Sequence, residues 1–258
     1  MNDARHSYAM NDDRVDAGFE RRHGCCRLKP ELCIVMPVLD EAERLAGALC
    51  ALQPLRRRGV RVVVVDGGSR DDTLRIARDH ADLALLAPRG RASQMNAGAA
   101  ACPAQVLLFL HADTRLPDHA DALVQRALRS RHAWGRFDVH IDSARPLLRI
   151  VERAMNLRSR LTGIATGDQA LFVRHEVFAA VGGFPDIPLM EDITLSHRLK
   201  RHGPPACLRD RVSTSARRWE QHGVWRTIWL MWRLRAAYFL GADPARLAEQ
   251  YGYAPRQG

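Results

Sequence analysis

The sequence encodes an α/β protein on a Rossmann-like, mostly parallel central sheet with helices on both faces. Two observations carry this expectation. Apolar runs recur at "LCIVMPV" (32–38), "VRVVVVDGGS" (60–69), "LALLAP" (83–88) and "AQVLLFLHAD" (104–113). Amphipathic segments of helical length separate them. Strands that are apolar throughout are buried on both faces, and parallel pairing needs a crossover between strands.

The elements follow in order. In 41–55 Leu45, Leu49 and Leu52 share one helical face. Segment 70–81 opens with Asp71 and Asp72, acids suited to the first turn of a helix. Segment 91–102 is a helix of small residues, and 116–130 reads as a helix with Pro117 near its start. Beyond about 131 the alternation weakens. "WGRFDVHI" (134–141) reads as a half-exposed strand and 145–163 as a basic amphipathic helix. Segment 167–184 reads as strand, short helix and Gly-Gly turn, and 191–203 as a helix with acids at its start. Segment 223–241 is an apolar helix interrupted by three arginines.

The composition is that of a globular chain: 258 residues, 47% hydrophobic and 26% charged, enough for one sizeable core. The net charge is +10, and only Lys29 and Lys200 are lysines. A positive field favours anionic partners, and arginine suits phosphate, although GC-rich coding also enriches arginine. The cysteines Cys33, Cys50, Cys102 and Cys207 are scattered, as in a reduced cytosolic protein. The adjacent Cys25 and Cys26 read as a thiol pair within a loosely packed extension, 1–29. That extension lacks the apolar core of a secretory signal. No run of ~18 apolar residues marks a membrane span. The domain expectation is an α/β unit over 30–220, then an amphipathic helix and tail over 221–258.

Ligands bind open parallel sheets at the C-terminal ends of their strands. Here those ends carry Pro37, Asp40 and Glu41; then Asp66, Gly67, Gly68 and Ser69; then Arg89 and Arg91; then His111, Ala112 and Asp113. Each acid alone reads equally well as a helix cap. Together they describe a nucleotide site: carboxylates for base, ribose or a divalent cation, arginine for diphosphate. Strand one is followed by no glycine-rich loop, so dinucleotide binding of the usual kind is excluded, and no Walker loop is present.

Seven segments in this order resemble family 2 glycosyltransferases of the GT-A fold. They are "IVMPVLDEAERL" (34–45), "VVVVDGGSRDDT" (62–73), "GRASQMNAGAAAC" (90–102), "LLFLHADTRLP" (107–117), "GDQALFVRHEVFAAVGGF" (167–184), "LMEDITLSHRLKRHG" (189–203) and "ARRW" (216–219). The wording "GRASQMNAGA" with "GDQALF" is similar to a bacterial subgroup associated with arsenosugar biosynthesis. The resemblance implies a nucleotide-diphosphate sugar donor, a hydroxyl acceptor, Mn²⁺ or Mg²⁺, and no nucleic acid. It places Pro37, Asp40, Glu41, Asp66, Gly68, Arg91, Asn96, Ala112 and Asp113 at the nucleotide sugar. Asp113 stands where the last acid of a DxD motif binds metal, with His111 a second candidate. Asp192 stands at the general base, and Arg218 assists the leaving group. Gly167, Asp168, Gln169, Glu191 and Trp219 fall near the sugar or acceptor.

Two departures stand out. His111 replaces the first acid of DxD; imidazole ligates Mn²⁺ but suits Mg²⁺ poorly. Ser215 stands where a Gln-x-x-Arg-Trp motif has glutamine, which argues against a processive enzyme and for single transfer. Bland readings remain beside these. Asp113 can cap a helix starting near Pro117, Glu191 and Asp192 can simply start a helix, and 167–169 can be an ordinary loop. His175, His197 and His222 read as surface or core residues. Trp225, Trp229 and Trp232 read as core packing, with contact to the inner face of a membrane as the alternative. Two rival functions are a nucleotidyltransferase and a non-catalytic basic protein that binds nucleic acid or a membrane surface.

Overall fold

A computed structural model describes residues 31–253. The extension 1–29, with Cys25 and Cys26, lies outside the described residues. The strands are β1 (Leu32–Val38), β2 (Arg61–Asp66), β3 (Leu83–Leu86), β4 (Val106–Phe109), β5 (Thr114–Arg115), β6 (Trp134–Asp142), β7 (Phe172–Arg174) and β8 (Ala206–Ser215). The helices are α1 (Ala42–Ala51), α2 (Gln53–Arg57), α3 (Thr73–His80), α4 (Arg91–Ala101), α5 (Ala120–Arg129), α6 (Pro146–Thr162), α7 (His175–Ala180), α8 (Glu191–Leu199), α9 (Arg217–His222), α10 (Val224–Phe239) and α11 (Pro244–Gln250).

One sheet runs in the order β3-β2-β1-β4-β7-β6-β8-β5. The first four strands are parallel. Strand β7 is antiparallel to both β4 and β6, and β6 returns to parallel pairing with β8. Alternation within β1 shows why both faces need helices. Ile34 and Met36 join Leu45, Leu49 and Val124 in one core, while Cys33 and Val35 join Met95, Phe109 and Leu195 in the other. Small residues let α4 lie close on the sheet: a Cβ on Gly98 would fall 2.4 Å from Val35 Cγ1 and 2.9 Å from Val65 Cγ2. Pro37 is tolerated in a central strand because β4 stops pairing at Val35, so no partner awaits its missing N–H.

Several expectations need correction. The helix expected from 116 starts only at Ala120, with His119 at its cap. Asp113 instead precedes the two-residue strand β5, so it caps no helix. Strand β6 is buried almost throughout rather than half exposed, because α6 covers it. Its charged residues are neutralised in place: Arg136 pairs with Asp138, which also pairs with Arg160 at 2.5 Å. The tryptophans of α10 do not pack on the core; Trp225, Trp229 and Trp232 are 72%, 63% and 72% exposed. Helix α10 docks through other residues, with Leu234 joining Ile193 of α8 and Leu247 of α11 in a third core.

Candidate functional site

The site begins where β1 and β2 end. Asp66 is fully buried. Its Oδ1 accepts the N–H groups of Gly68 at 2.6 Å and Ser69 at 2.7 Å, whereas its buried Oδ2 has no partner. The two loops hold each other: Asp40 N–H donates to Ser69 Oγ at 2.9 Å, and Arg70 N–H donates back to Asp40 Oδ1 at 2.8 Å. Next along, Glu41 N–H meets Thr73 Oγ1 at 2.8 Å and Ala42 N–H meets Asp71 Oδ2 at 3.1 Å. The Thr73 hydroxyl, helped by backbone N–H groups, keeps the Asp71 carboxyl below its ordinary range. Gln94 of α4 ties the strand ends together from beneath, donating to Val38 O and Val65 O at 2.8 Å each. The sequence reading missed Gln94; a lone buried glutamine in a small-residue helix is its only signal.

Asp113 stands further along the edge. Its carbonyl accepts Ser215 N–H at 3.2 Å, which brings the "SARRW" segment beside it. Its Oδ1 accepts the Thr114 hydroxyl at 3.2 Å. Arg217 of α9 reaches Glu41 at 3.6 Å, so the β1 end, β5 and α9 meet here. Among the described residues no three His, Cys, Asp or Glu side chains form a metal cage. One partly exposed carboxylate still fits a hard divalent cation that takes its other ligands from a diphosphate and water. His111 is turned toward a different neighbour. Its Nδ1 lies 3.7 Å from Asp168 Oδ1, and a Cβ on Gly167 would come within 2.5 Å of its ring.

Asp192 completes the cleft, which Phe109, His111, Gly167, Phe184, Glu191 and Asp192 line. Its Oδ2 accepts Gly167 N–H at 2.9 Å and its Oδ1 accepts Ile193 N–H at 2.7 Å. The carboxylate is thus fixed at the start of α8 while part of it stays open to solvent. Beside it, Glu191 is 3% exposed and pairs with Arg91 Nε at 2.9 Å. Burial pushes the Glu191 carboxyl up to about 7; Arg91 opposes this and Asp192 adds to it. Arg91, expected at a diphosphate, is therefore engaged by a carboxylate.

Other expected residues are placed as follows. Asn96 spends both amide atoms on Phe184, donating to its carbonyl at 2.9 Å and accepting its N–H at 3.0 Å. Gln169 is fully buried and its Oε1 accepts Thr166 N–H at 3.2 Å. Gly68 is exposed, and Ala112 is half-buried beside His111. Trp219 packs with Ile228 against the Leu148 cluster. Arg218 stacks its guanidinium 4.0 Å from the centre of the Tyr251 ring. Tyr251 comes from the segment after α11, and its charge environment includes Arg91, Asp168 and Asp192. No sequence signal marked it as a neighbour of the site.

Backbone strain gathers at the same place. Among the described residues the non-glycine positions with positive φ are Asp40 (51°), Ala170 (45°) and Met190 (70°). Each adjoins a segment that supplies the cleft or the strand-end loops. Such conformations cost of order 1–3 kcal/mol and persist where surrounding structure imposes them.

Residues 33–181 match the family described as Glycosyl transferase family 2. The chain belongs to that family. An uncharacterized glycosyltransferase of Mycobacterium tuberculosis is 35% identical over 81 residues, covering 31% of this chain and 35% of that protein. The matched stretch thus spans about a third of such curated relatives. Family 2 membership agrees with the fold. Staphylococcus aureus TarS, solved in complex with UDP, aligns at a TM-score of 0.60 and 17% identity over 72% of this chain and 60% of that chain. A mannosyltransferase from Pyrobaculum calidifontis, solved with GDP-Man and Mn²⁺, aligns at 0.54 and 22% identity over 81% and 61%. Glucosyl-3-phosphoglycerate synthase from Mycobacterium tuberculosis, with Mn²⁺ and UDP, aligns at 0.51 and 15% identity over 72% and 71%. These likenesses establish a GT-A fold for this family 2 chain.

Proposed function

We propose that the protein transfers one sugar from a nucleotide-diphosphate donor to an acceptor hydroxyl, with inversion, using Mn²⁺ or Mg²⁺. The observation that carries this is Asp66. A fully buried carboxylate at a strand end, with one oxygen fixed and the other unpartnered, is built to accept hydrogen bonds from a ligand. Asp40 and Glu41 flank the nucleoside in this reading. Asp113 would hold the cation, which when bound would supply charge neutralisation for the leaving group.

The transfer follows from the remaining geometry. The acceptor hydroxyl gives its proton to an Asp192 oxygen while its own oxygen bonds to the anomeric carbon. The bond from that carbon to the diphosphate oxygen breaks, and its electron pair leaves with the diphosphate. Gly167 N–H orients Asp192 for this, as it would a base acting in one fixed direction. The "GRASQMNAGA" and "GDQALF" wording supports the arsenosugar-associated subgroup.

Thermal melting with UDP, GDP, dTDP and CDP, each with and without Mn²⁺, tests the reading. One nucleotide should raise the melting temperature in a Mn²⁺-dependent way, and Asp113→Ala should remove the metal dependence. No shift with any nucleotide sinks the donor assignment.

A second observation favours a membrane-surface setting. Among the described residues, all the exposed large apolar side chains but Leu86 lie on α6, on α10 or at Leu240, which caps α10. Trp225, Trp229 and Trp232 form one stripe, interleaved with Arg226 and Arg233, and Arg233 sits 4.9 Å over the Trp229 ring. No helix among the described residues is long and apolar enough to cross a membrane. An aromatic, cationic stripe fits the interface of an anionic leaflet. The protein should sediment with phosphatidylglycerol vesicles, and a Trp225→Ser/Trp229→Ser/Trp232→Ser variant should stay in the supernatant. Equal sedimentation of the two proteins would remove this second reading.

A further inference from the structure

Tyr251 follows α11, and the sequence around it explains how it is held. A helix of seven residues is too short to be stable alone, so α11 depends on its ends and its packing. Pro244 opens it, and the Asp243 side chain caps it by accepting Ala245 N–H at 3.0 Å. At the other end Tyr251 N–H bonds to Leu247 O at 3.0 Å. Gly252, at φ 82°, then turns the chain so that Tyr253 N–H meets Ala248 O at 2.9 Å. Leu247 and Ala248 are buried in one cluster with Leu189, Met190 and Ile193, and Tyr251 packs against that cluster. The ring is thereby anchored to the segment that leads into Glu191 and Asp192.

The same ring meets Arg218, whose guanidinium carbon lies 4.0 Å from its centre. Arg218 belongs to α9, and two contacts fix the approach of that helix. Ser215 N–H bonds to Asp113 O at 3.2 Å, and Arg217 reaches Glu41 at 3.6 Å. Helix α9 therefore starts beside the strand end that carries Asp113, and the Arg218 side chain runs from there to Tyr251.

The kind of contact matters. A guanidinium carries its N–H donors in one plane and none on its faces. A carboxylate partner occupies those donors, as Glu191 does for Arg91 at 2.9 Å. An aromatic ring under the face restrains the plane and occupies none of them. Among the described residues the Arg218 guanidinium has no hydrogen bond or ion pair; what it touches is the Tyr251 ring. A cation restrained in this way, with its donors open, is prepared for bidentate bonding to phosphate oxygens.

We propose that Tyr251 is a positioning residue for the donor's diphosphate and acts through Arg218. Its ring holds the guanidinium beside the Asp113 strand end and leaves every N–H to the phosphate oxygens. The place of the diphosphate at Asp113 rests on the glycosyl-transfer reading.

Binding of UDP, GDP, dTDP and CDP, and of the matching monophosphates, is measured with Mn²⁺ from the rise in melting temperature with ligand concentration. The proteins are the whole chain and its Tyr251→Leu, Tyr251→Phe, Arg218→Gln and Tyr251→Leu/Arg218→Gln variants. Leucine keeps the apolar packing and removes the aromatic face. Tyr251→Leu should bind the stabilising diphosphate roughly 2- to 30-fold more weakly, the range of a cation–ring contact, and bind its monophosphate as the wild type does. Tyr251→Phe keeps the ring and should restore the diphosphate affinity. Arg218→Gln, an exposed change, should show the loss by itself. Adding Tyr251→Leu to it should cost nothing more, because the two residues act as one unit.

Equal weakening of diphosphate and monophosphate would make Tyr251 a support of the fold. Additive losses in the double variant would separate it from Arg218. A Tyr251→Phe variant as weak as Tyr251→Leu would assign the effect to the hydroxyl, and unchanged diphosphate binding in Tyr251→Leu or Arg218→Gln would leave nothing to position. Each of these overturns the proposal while the wild type still binds a nucleotide, so the donor reading survives. Absence of any nucleotide shift in the wild type overturns both.

Discussion

Asp192→Asn is expected to lower turnover by about 10²–10⁴, the usual contribution of a positioned general base, while leaving nucleotide affinity unchanged. The substitution keeps the shape. An asparagine oxygen still accepts the Gly167 N–H that now meets Asp192 Oδ2 at 2.9 Å, while its amide nitrogen gives up the bond that Ile193 N–H makes to Oδ1 at 2.7 Å. Beyond that bond, what is lost is the capacity to take a proton. The measurement is release of nucleoside diphosphate from the donor whose nucleotide stabilises the wild type, together with the melting shift produced by that nucleotide. A variant that turns over normally would remove Asp192 from the chemistry. A variant that also loses nucleotide binding would place Asp192 on the donor instead.

Arg91→Met should be the most damaging change to stability. It leaves Glu191, 3% exposed, without the cation at 2.9 Å. Breaking a buried pair by removing one partner costs roughly 3–5 kcal/mol. The loss should depend on pH, and its direction follows from Glu191. In the wild type its folded pKa is already raised, to about 7 from an ordinary 4.5. Below the unfolded pKa both states hold the proton. Between the two pKa values only the folded state holds it, so stability falls as pH rises through the folded pKa. Without Arg91 the folded pKa climbs further and the decline extends to higher pH. Urea unfolding at about pH 5 and about pH 8 should therefore show a much larger deficit for the variant at the higher pH. An equal deficit at both would mean that the cost is lost packing of the arginine stem, not an unpaired carboxylate.

The parts legible in the sequence were those with local periodicity. Strands β1, β2 and β4 are buried on both faces, so their composition alone identified them. Helix α6 declared itself by its amphipathic pattern, α8 by the acids at its start and α10 by its apolar run. Strand β8 did not. Its centre, Arg209, Asp210 and Arg211, is exposed, and a bulge opposite Phe137 and Asp138 shifts its register. The burial of β6 was equally hidden, because Arg136 and Asp138 are charged residues held inside by ion pairs with each other and with Arg160. At the site, the strand-end acids could be listed from position alone. Tyr251 could not, since it arrives from an element remote in the chain and carries no motif.

The interlaced loops after β1 and β2 have a kinetic corollary. Asp40, Ser69, Arg70, Glu41 and Thr73 bond across the gap between them, so the backbone there is already ordered. Fixing a loop residue costs about 1–2 kcal/mol of chain entropy, and here that cost belongs to folding. If a nucleoside binds at this edge as proposed, it meets a preformed template. Its association rate should therefore follow collision and orientation, with little waiting on a rare open conformer.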